Sequence, residues 1–312
     1  MPKNGIDRYR GCLLGLAVGD ALGAPLEFQE PGTFTSLTDM TGGGIFGLEP
    51  GQWTDDTSMA LCLAESLIEC NGFNETDQIA RFLRWYREGH LSSTGNCFDI
   101  GDTIREALER YERTGDPFAG PTEPDRAGNG SIMRLAPVPL AFADTPCKGI
   151  HLSGKSSRTT HGALAAIDTC RLLGQIIISI VNGAGRKELF SGSSYQAPEG
   201  WKLDPPLVPE VQAIADGSFQ RLTPPKIRGT GYAVKSLEAA LWAFYHSTSF
   251  QEGARKAVNL GDDADTTGAV YGQIAGAFYG ESGIPKEWKE TIARKDLILQ
   301  YADRLYGLAW GE

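Results

Sequence analysis

Two short segments of the chain concentrate carboxylates and hydroxyls. Residues 53–57 read Trp-Thr-Asp-Asp-Thr, and residues 261–267 read Gly-Asp-Asp-Ala-Asp-Thr-Thr. Each segment opens an apolar helical run, so one interpretation is helix capping, because Asp and Thr are favoured N-caps and acids are favoured in the first turn. The other interpretation is a hard divalent cation, Mg²⁺, Mn²⁺ or Ca²⁺, which binds several oxygen ligands. These patterns leave both interpretations open.

More than one acid at a helix start favours metal binding. Neighbouring carboxylates repel, and residues one or two apart on a helix do not share a face, so such a cluster suits a turn that aims several oxygens at one point. Five carboxylates would carry a charge of −5 if they converge on one site, namely those of Glu27, Asp55, Asp56, Asp263 and Asp265. One bound divalent ion would leave this site at −3, and two would leave it at −1. Convergence therefore favours a two-metal centre, with the hydroxyls of Thr54 and Thr266 completing the oxygen shell.

Two other motifs overlap the second acidic segment. Residues 263–267 fit D-x-D-x-T, the nucleophile motif of haloacid-dehalogenase-like phosphatases, in which an aspartate is phosphorylated. That motif follows an apolar parallel strand near the start of an α/β chain, whereas here it lies near the C-terminal end of a helical one. Residues 261–263 spell the polymerase Gly-Asp-Asp, which needs a β-hairpin and a basic template channel. The sequence context disfavours both interpretations.

A glycine-flanked segment offers a second kind of site. Residues 128–131 read Gly-Asn-Gly-Ser, which is either a tight turn with a serine cap or a nest of backbone N–H groups that binds an anion such as phosphate. Arg134 follows and would neutralise a phosphate or a nearby carboxylate. His161 opens an apolar helix, where a lone histidine is either a packed residue or a functional one. The sequence has no zinc spacing, serine-nucleophile elbow, P-loop or dinucleotide-binding fingerprint.

Helical periodicity supplies the elements that must position these residues. Apolar residues recur at helical spacing in segments 6–24, 57–70, 76–88 with Thr76 as its cap, 101–114, 161–182, 233–246, 250–258, 266–280 and 286–307. Two glycine- and proline-rich loops, 25–56 and 183–231, interrupt them. The first is interpreted as functional because it leads into an acidic segment; a substrate lid and a simple insertion remain open for the second. We predict one all-α domain over residues 1–312, a compact orthogonal helical domain with long functional loops.

Composition limits the classes of protein and the compartment. The chain has 312 residues, a net charge of −10, and hydrophobic and charged fractions of 41% and 22%, which suit a globular protein and disfavour a general nucleic-acid or anionic-membrane binder. Six cysteines without a C-x-x-C pair predict reduced thiols and a cytoplasmic location. No apolar run reaches the length of a transmembrane helix. The N-terminus imitates a signal peptide, but glycines and Asp20 interrupt its short apolar run.

Taken in order, these segments resemble the ADP-ribosylglycohydrolase family, which includes the dinitrogenase-reductase-activating glycohydrolases. The matching segments span nearly the whole chain and are 11–15, 19–23 with Glu27, 51–57, 98–101, 128–134, 160–161, 229–240 and 263–266. Each segment alone is modest, whereas the ordered set with both acidic segments intact is specific.

The resemblance implies an all-α fold, a two-magnesium centre and removal of ADP-ribose from modified proteins, with Mn²⁺ able to replace Mg²⁺ because both accept the same oxygens. The metal ligands that it implies are Thr54, Asp55, Asp56, Asp263, Asp265 and Thr266. The catalytic residues that it implies are Glu27, Asp55, Asp56 and Asp263. The substrate contacts that it implies are Asp99 near the leaving group, Asn129, Gly130, Ser131 and His161 along ADP-ribose, and Tyr232 as an aromatic that stacks on adenine. Residues 183–228 match no motif of the family.

The first functional hypothesis is metal-dependent hydrolysis of the C1″ glycosidic bond of protein-linked ADP-ribose. Arginine is the expected linkage, while serine, a nucleobase or a small metabolite stays open. If the linkage is to arginine, Asp99 suits its guanidinium by bidentate pairing. The partners are then an ADP-ribosylated protein and the ADP-ribose product, with no membrane involved. One alternative is a protein that binds ADP-ribose without hydrolysis, as a reader or as the immunity protein of a toxin. A second alternative is a two-metal hydrolase of phosphate esters.

Overall fold

The computed structural model describes residues 5–190, 200–201 and 203–311, and this part of the chain folds into helices joined by loops. The α-helices are α1 (Gly5–Gly23), α2 (Asp55–Glu69), α3 (Glu75–Glu88), α4 (Asp102–Thr114), α5 (Pro137–Ala141), α6 (Pro146–Ser157), α7 (Leu164–Val181), α8 (Arg186–Leu189), α9 (Pro209–Ala215), α10 (Ala233–Tyr245), α11 (Phe250–Val258), α12 (Ala264–Tyr279), α13 (Lys286–Thr291) and α14 (Lys295–Trp310). Extended pairing in the described residues is limited to two isolated bridges, Gly43 with Leu48 and Gly128 with Tyr232. The all-α prediction is confirmed.

Helices α1 and α12 run antiparallel at the centre of the fold, with their backbones in contact. Glycines face each other at every fourth residue, with positions 11, 15 and 19 of α1 opposite positions 276, 272 and 268 of α12, and Gly23 packs on the backbone of Ala264. A Cβ atom built on Gly19 would lie 1.9 Å from the carbonyl oxygen of Gly268, and one built on Gly272 would lie 1.9 Å from that of Gly15. No side chain fits between these peptide groups. We call this contact the glycine seam.

The glycine seam also sets the acidic segments side by side. Asp20 follows Gly19 on α1, and Asp265 lies three residues before Gly268 on α12, so the two carboxylates occupy the same end of the helix pair. The chain reaches this end again at Trp53, which is fully buried two residues before α2 begins. The first turns of α2 and α12 therefore start at the same end of α1.

The helix predicted over residues 286–307 is two helices, α13 and α14, separated at residues 292–294. Ala293 donates its N–H to the carbonyl oxygen of Gly51 at 3.0 Å, and Arg294 adopts a left-handed backbone with a φ of 52°. Trp53 Nε1 donates to the carbonyl oxygen of Ala293 at 3.2 Å. The apolar periodicity continues through this point, but the tertiary contact turns the chain and ties it to the loop that precedes α2.

Three other segments refine the sequence prediction. Helix α3 is capped by Asn74, whose Oδ1 accepts the N–H of Asp77 at 3.1 Å, so the prediction of Thr76 as the cap is wrong. The 183–231 loop contains α8, α9 and a 3-10 turn at Ser218–Gln220, while residues 191–199 and 202 lie outside the described residues. Helix α7 has the length and apolar composition of a membrane span, but 89% of it is buried inside the protein, as in a core helix.

Candidate active site

The two acidic segments meet at the N-terminal ends of α2 and α12, and neither helix is capped by its own segment. Neither Thr54, the N-cap of α2, nor Asp263, the N-cap of α12, makes a side-chain capping hydrogen bond. The first turn of α2 instead donates a backbone N–H to Asp20 Oδ2 at 3.0 Å, and the first turn of α12 donates one to Glu27 Oε2 at 3.0 Å. The N-cap side chains of both segments therefore do not cap their helices, which decides against the capping interpretation.

Side-chain hydrogen bonds hold the two segments against each other. Thr54 Oγ1 lies 3.0 Å from Asp20 Oδ1 and 3.1 Å from Asp265 Oδ2. Thr266 Oγ1 donates to Asp56 Oδ1 at 3.3 Å. All five of these residues are at most 5% exposed. Segments that are 211 positions apart in the chain therefore form one buried polar cluster, which we call the acid cluster, together with Glu27, Asp55 and Asp263.

The acid cluster fits a divalent cation. Glu27, Asp263 and Asp265 each offer a carboxylate oxygen, and these oxygens lie within 4.8 Å of one another. Asp56 Oδ2 and Asp263 Oδ1 are buried, and no described residue donates a hydrogen bond to either of them. A buried carboxylate oxygen without a partner is costly, and hard cations prefer several such oxygens. The donor set therefore suits a hard divalent ion held between the two segments.

Burial and mutual repulsion raise the pKa of the carboxyl groups in the acid cluster. Desolvation, and after it the charge of Asp265, raises the pKa of Asp20 and of Asp263 to about 7. The same two causes hold the pKa well above its usual range at Glu27, Asp55 and Asp56. The protein thus leaves the negative charge uncompensated, and bound cations would reverse these shifts.

A cavity of about 250 Å³ opens onto the acid cluster. Its described lining contains no lysine or arginine and six carboxylates, which belong to Glu27, Asp55, Asp99, Asp102, Asp263 and Asp265. Asp99 has a left-handed backbone with a φ of 59°, and burial followed by the charge of Asp55 raises its pKa to about 11. The cavity is therefore suited to cations and to groups that arrive with positive charge.

His161 also lines the cavity, and a buried arginine fixes the state of its ring. Arg134 Nη2 donates to Thr160 Oγ1 at 2.6 Å, and Thr160 Oγ1 lies 2.9 Å from His161 Nδ1. The guanidinium can only donate to Thr160, which keeps its own hydroxyl hydrogen for His161 Nδ1, and the tautomer that matches this arrangement carries its hydrogen on Nε2, beside Gly128. Burial and the charge of Arg134 lower the pKa of His161 to about 3. The imidazole is therefore a neutral hydrogen-bond donor near pH 7.

The 128–134 segment presents mainly backbone to the cavity. A Cβ on Gly130 would lie 2.8 Å from His161 Cε1, so the imidazole leaves no room for a side chain there. No described residue accepts the N–H of Gly130. Asn129 Nδ2 donates to Asp263 Oδ2 at 2.9 Å and so joins this segment to the acid cluster. Gln273 of α12 fixes the segment from below, donating to two of its carbonyl oxygens at 2.9 and 2.7 Å.

Some residues predicted from the sequence do not reach the cavity with their side chains. Ser131 is 2% exposed, and its hydroxyl oxygen lies 2.9 Å from that of another core serine. The ring of Tyr232 is half-buried, and Gly231 rather than Tyr232 lines the cavity. Arg134 is 1% exposed beneath the cavity, where it orients His161, so its prediction as a phosphate-neutralising residue is wrong.

The structure adds three residues to the site that the sequence analysis did not assign. Asp20 is fully buried and accepts hydrogen bonds from both threonines that flank the Asp-Asp pair of residues 55–56. Its signal in the sequence was a single carboxylate in an otherwise apolar run of α1. Phe28 and Asp102 line the cavity. Neither carries a signal in the sequence, because each lies in a segment of mixed polarity with no recognisable spacing.

Comparisons with known proteins agree on one family. A family model described as ADP-ribosylglycohydrolase matches residues 1–312. The chain is 41% identical to ADP-ribosylarginine hydrolase Tri1 of Serratia proteamaculans, over 97% of this chain and 80% of that protein. It is 33% identical to the ADP-ribosyl-(dinitrogen reductase) glycohydrolase of Rhodospirillum rubrum, over 97% of each. A solved structure, an ADP-ribosylglycohydrolase-related protein complex, superposes with a TM-score of 0.85 at 43% identity, over 99% of this chain and 100% of that one.

Three findings lead to the same conclusion. The family model matches the full chain, the fold agrees with that of the solved structure, and the chain is 33–41% identical to these two relatives. This chain belongs to the ADP-ribosylglycohydrolase family and is a hydrolase.

Proposed function

We propose that the protein hydrolyses the C1″ glycosidic bond between ADP-ribose and an arginine side chain of a target protein. The observation that carries this proposal is a single cavity that combines the acid cluster with Asp99 on its wall. A carboxylate beside the reacting bond suits a guanidinium leaving group, because the two form bidentate, charge-assisted hydrogen bonds. The relatives whose names specify ADP-ribosylarginine support the same linkage.

We propose two Mg²⁺ ions as the cofactor, with Mn²⁺ accepted in their place. The ligands would be Thr54, Asp55, Asp56, Asp263, Asp265 and Thr266. Five carboxylates carry a charge of −5 when Glu27 is counted with these four acids, so two divalent ions bring the site to −1. When bound, such ions polarise ribose hydroxyls and lower the pKa of a coordinated water.

In this proposal Glu27 takes the proton of the attacking water. Its Oε2 is held by a backbone N–H of α12, and the side chain also lines the cavity. As the water oxygen bonds to C1″, the bond from C1″ to the guanidinium nitrogen breaks through an oxocarbenium-like state. The arginine leaves as a neutral guanidine and then takes up the proton that the water lost. Asp99 stabilises the resulting guanidinium.

Hydrogen-bond donors without formal charge hold the rest of the substrate. His161 offers its Nε2 hydrogen, and Gly130 offers a backbone N–H with no acceptor among the described residues. Both are suited to phosphate or hydroxyl oxygens of ADP-ribose. Neutral donors explain how a cavity whose described lining holds acids but no lysine or arginine accepts a diphosphate.

The test is release of ADP-ribose from arginine-linked and serine-linked substrates, each with Mg²⁺ and with EDTA. Metal-dependent release from the arginine-linked substrate is the expected result. The Asp55→Ala and Asp263→Ala variants should lose this release while still folding by circular dichroism, and wild-type turnover by either variant overturns the mechanism. Binding of ADP-ribose without metal-dependent turnover would instead support a reader or an immunity protein.

We also propose a cytoplasmic location, as the cysteine pattern predicts. All six cysteines are free thiols, and Cys70 and Cys147 are exposed. Free exposed thiols are typical of a reducing compartment. Cell fractionation with a disulfide-trapping reagent tests this location.

A further inference from the structure

Three phenylalanines form a row of packed rings that begins at the cavity wall with Phe28. The rings of Phe28 and Phe46 have centroids 6.5 Å apart at an interplanar angle of 67°, and those of Phe46 and Phe98 are 5.4 Å apart at 55°. Phe28 lines the cavity and is 64% exposed. Ile45, next to Phe46 in the chain, is 67% exposed. We call Phe28, Phe46 and Phe98 the aromatic ridge.

The backbone holds Phe28 outward against its own preference. Its φ is 62°, in the left-handed region that a bulky residue rarely adopts. Two backbone hydrogen bonds to the segment before α12 maintain this conformation: the Phe28 N–H donates to the carbonyl of Asp262, and the Asp262 N–H donates to that of Gln29, both at 2.8 Å. The fold therefore accepts both backbone strain and an exposed ring at the edge of the acid-lined cavity.

The charges around the aromatic ridge select the kind of group that it receives. Phe28 follows Glu27, and Phe98 precedes Asp99, so carboxylates of the cavity wall adjoin both ends of the ridge. A planar cation is the group that pairs with carboxylates and also stacks on aromatic rings, and guanidinium meets both conditions. An anionic group would be repelled by the carboxylates. A purely apolar group would leave the carboxylates without a partner.

We propose that the aromatic ridge receives the arginine side chain of the ADP-ribosylated protein, with its guanidinium stacked on Phe28 and its edge toward Asp99. This inference rests on the proposed function and names the residues that select its leaving group. In it, Phe28 is a specificity-determining residue that acts on the arginine side of the scissile bond. The ridge contributes nothing to the binding of free ADP-ribose.

The experiment measures the KM for an arginine-linked ADP-ribosyl peptide and the inhibition constant of free ADP-ribose in the Phe28→Ala, Phe28→Leu and Phe28→Tyr variants. A cation–π contact of about 0.5–2 kcal/mol corresponds to a change of about 2- to 30-fold. We expect Phe28→Ala and Phe28→Leu to raise the KM by this factor and Phe28→Tyr to restore it. The inhibition constant of ADP-ribose should stay within about twofold in all three. Ile6→Ala, which truncates an exposed apolar residue at the far end of α1, is the matched control.

Two results would overturn the inference. One is an unchanged KM in Phe28→Ala, and the other is a parallel change in KM and in the inhibition constant of ADP-ribose, which would assign the ring to the ADP-ribose side or to folding. Failure of the proposed function appears separately, as absence of release from the arginine-linked peptide by the wild-type protein. In that case the proposed function is wrong, and the inference about Phe28 is wrong with it.

Discussion

Replacement of Asp20 by asparagine separates the ligand-positioning role of this residue from the charge of the acid cluster. Asp20 is fully buried and accepts four hydrogen bonds, from the N–H and hydroxyl of Thr54 at 2.9 and 3.0 Å and from those of Thr57 at 3.0 and 2.6 Å. Asn keeps the shape but has one oxygen. Whichever way its amide is turned, the NH₂ group faces the backbone N–H of one threonine, and that donor loses its acceptor.

The structure sets the size of the effect. A buried donor without an acceptor costs about 1–3 kcal/mol, and relief of the repulsion between Asp20 and Asp265 offsets part of this cost. We therefore expect Asp20→Asn to lower the free energy of unfolding by about 2 kcal/mol, or the Tm by about 3 °C for a chain of this length. The affinity for Mn²⁺ should fall about 10- to 100-fold, because one amide oxygen cannot accept from both Thr54 and Thr57, the two residues that flank and position the Asp-Asp pair.

Calorimetric titration with Mn²⁺ and thermal unfolding in EDTA measure the two effects independently of turnover. At saturating metal, kcat should recover to within a few-fold of the wild-type value, since Asp20 touches no substrate in the proposed mechanism. Asp303→Asn is the matched control, because Asp303 pairs with Arg10 on the surface and should leave metal affinity unchanged. A wild-type affinity for Mn²⁺ in Asp20→Asn would show that this carboxylate does not position the ligand.

Three further predictions concern the helix contact, pH and the histidine. Gly19→Ala forces the backbones of α1 and α12 apart and should lower the free energy of unfolding by about 3 kcal/mol or more in urea titrations. Gly101→Ala, whose Cβ meets open space, should lower it by no more than about 1 kcal/mol, the cost of an alanine at the N-cap of α4. Folding raises the pKa of Asp263 from 3.8 to about 7, so its contribution to stability is present below about pH 4 and is lost as the pH rises to 7. In EDTA the Tm should therefore fall between pH 4 and pH 7, and the fall should be smaller in Asp263→Asn. The ¹⁵N chemical shifts of His161 should report a neutral Nε2–H tautomer from pH 5 to 9, and Thr160→Val should give a mixture of the two tautomers. A titration midpoint near 6.5 for His161 in the wild-type protein would contradict the contact from Arg134 through Thr160 to His161.

Local patterns in the sequence are sufficient to predict the helices and the two acidic segments. Helical periodicity is a property of neighbouring residues, so the positions of α2, α4 and α12 follow from it to within a few residues. The same holds for the end of α3, which is predicted and observed at residue 88, before Gly89 adopts a left-handed backbone. The acidic segments are recognisable because several carboxylates at one helix start exceed what capping requires.

What the sequence does not reveal depends on partners far along the chain. The break before α14 arises from the contact of Ala293 with Gly51, which no local pattern encodes. Arg134 suggests a phosphate ligand because cations often serve that role on surfaces, yet burial makes it the residue that orients His161. Asp20 is hidden for the same reason, since its four donors come from residues 34 and 37 positions away.

The glycine seam has a consequence for how the acid cluster tolerates change over evolution. Peptide groups, rather than side chains, set the distance between α1 and α12, and this distance fixes how far Asp20 and Thr54 stand from Asp265. Core side chains elsewhere can be replaced and can repack without altering the distance between α1 and α12, because no side chain lies between the two backbones of the glycine seam. A cation too wide for the site would have to move α2, which Asp20 of α1 holds through Thr54, away from α12. Selection by ionic radius would then depend on the main-chain contact between Gly19 and Gly268, which lie one residue from Asp20 and two residues from Thr266.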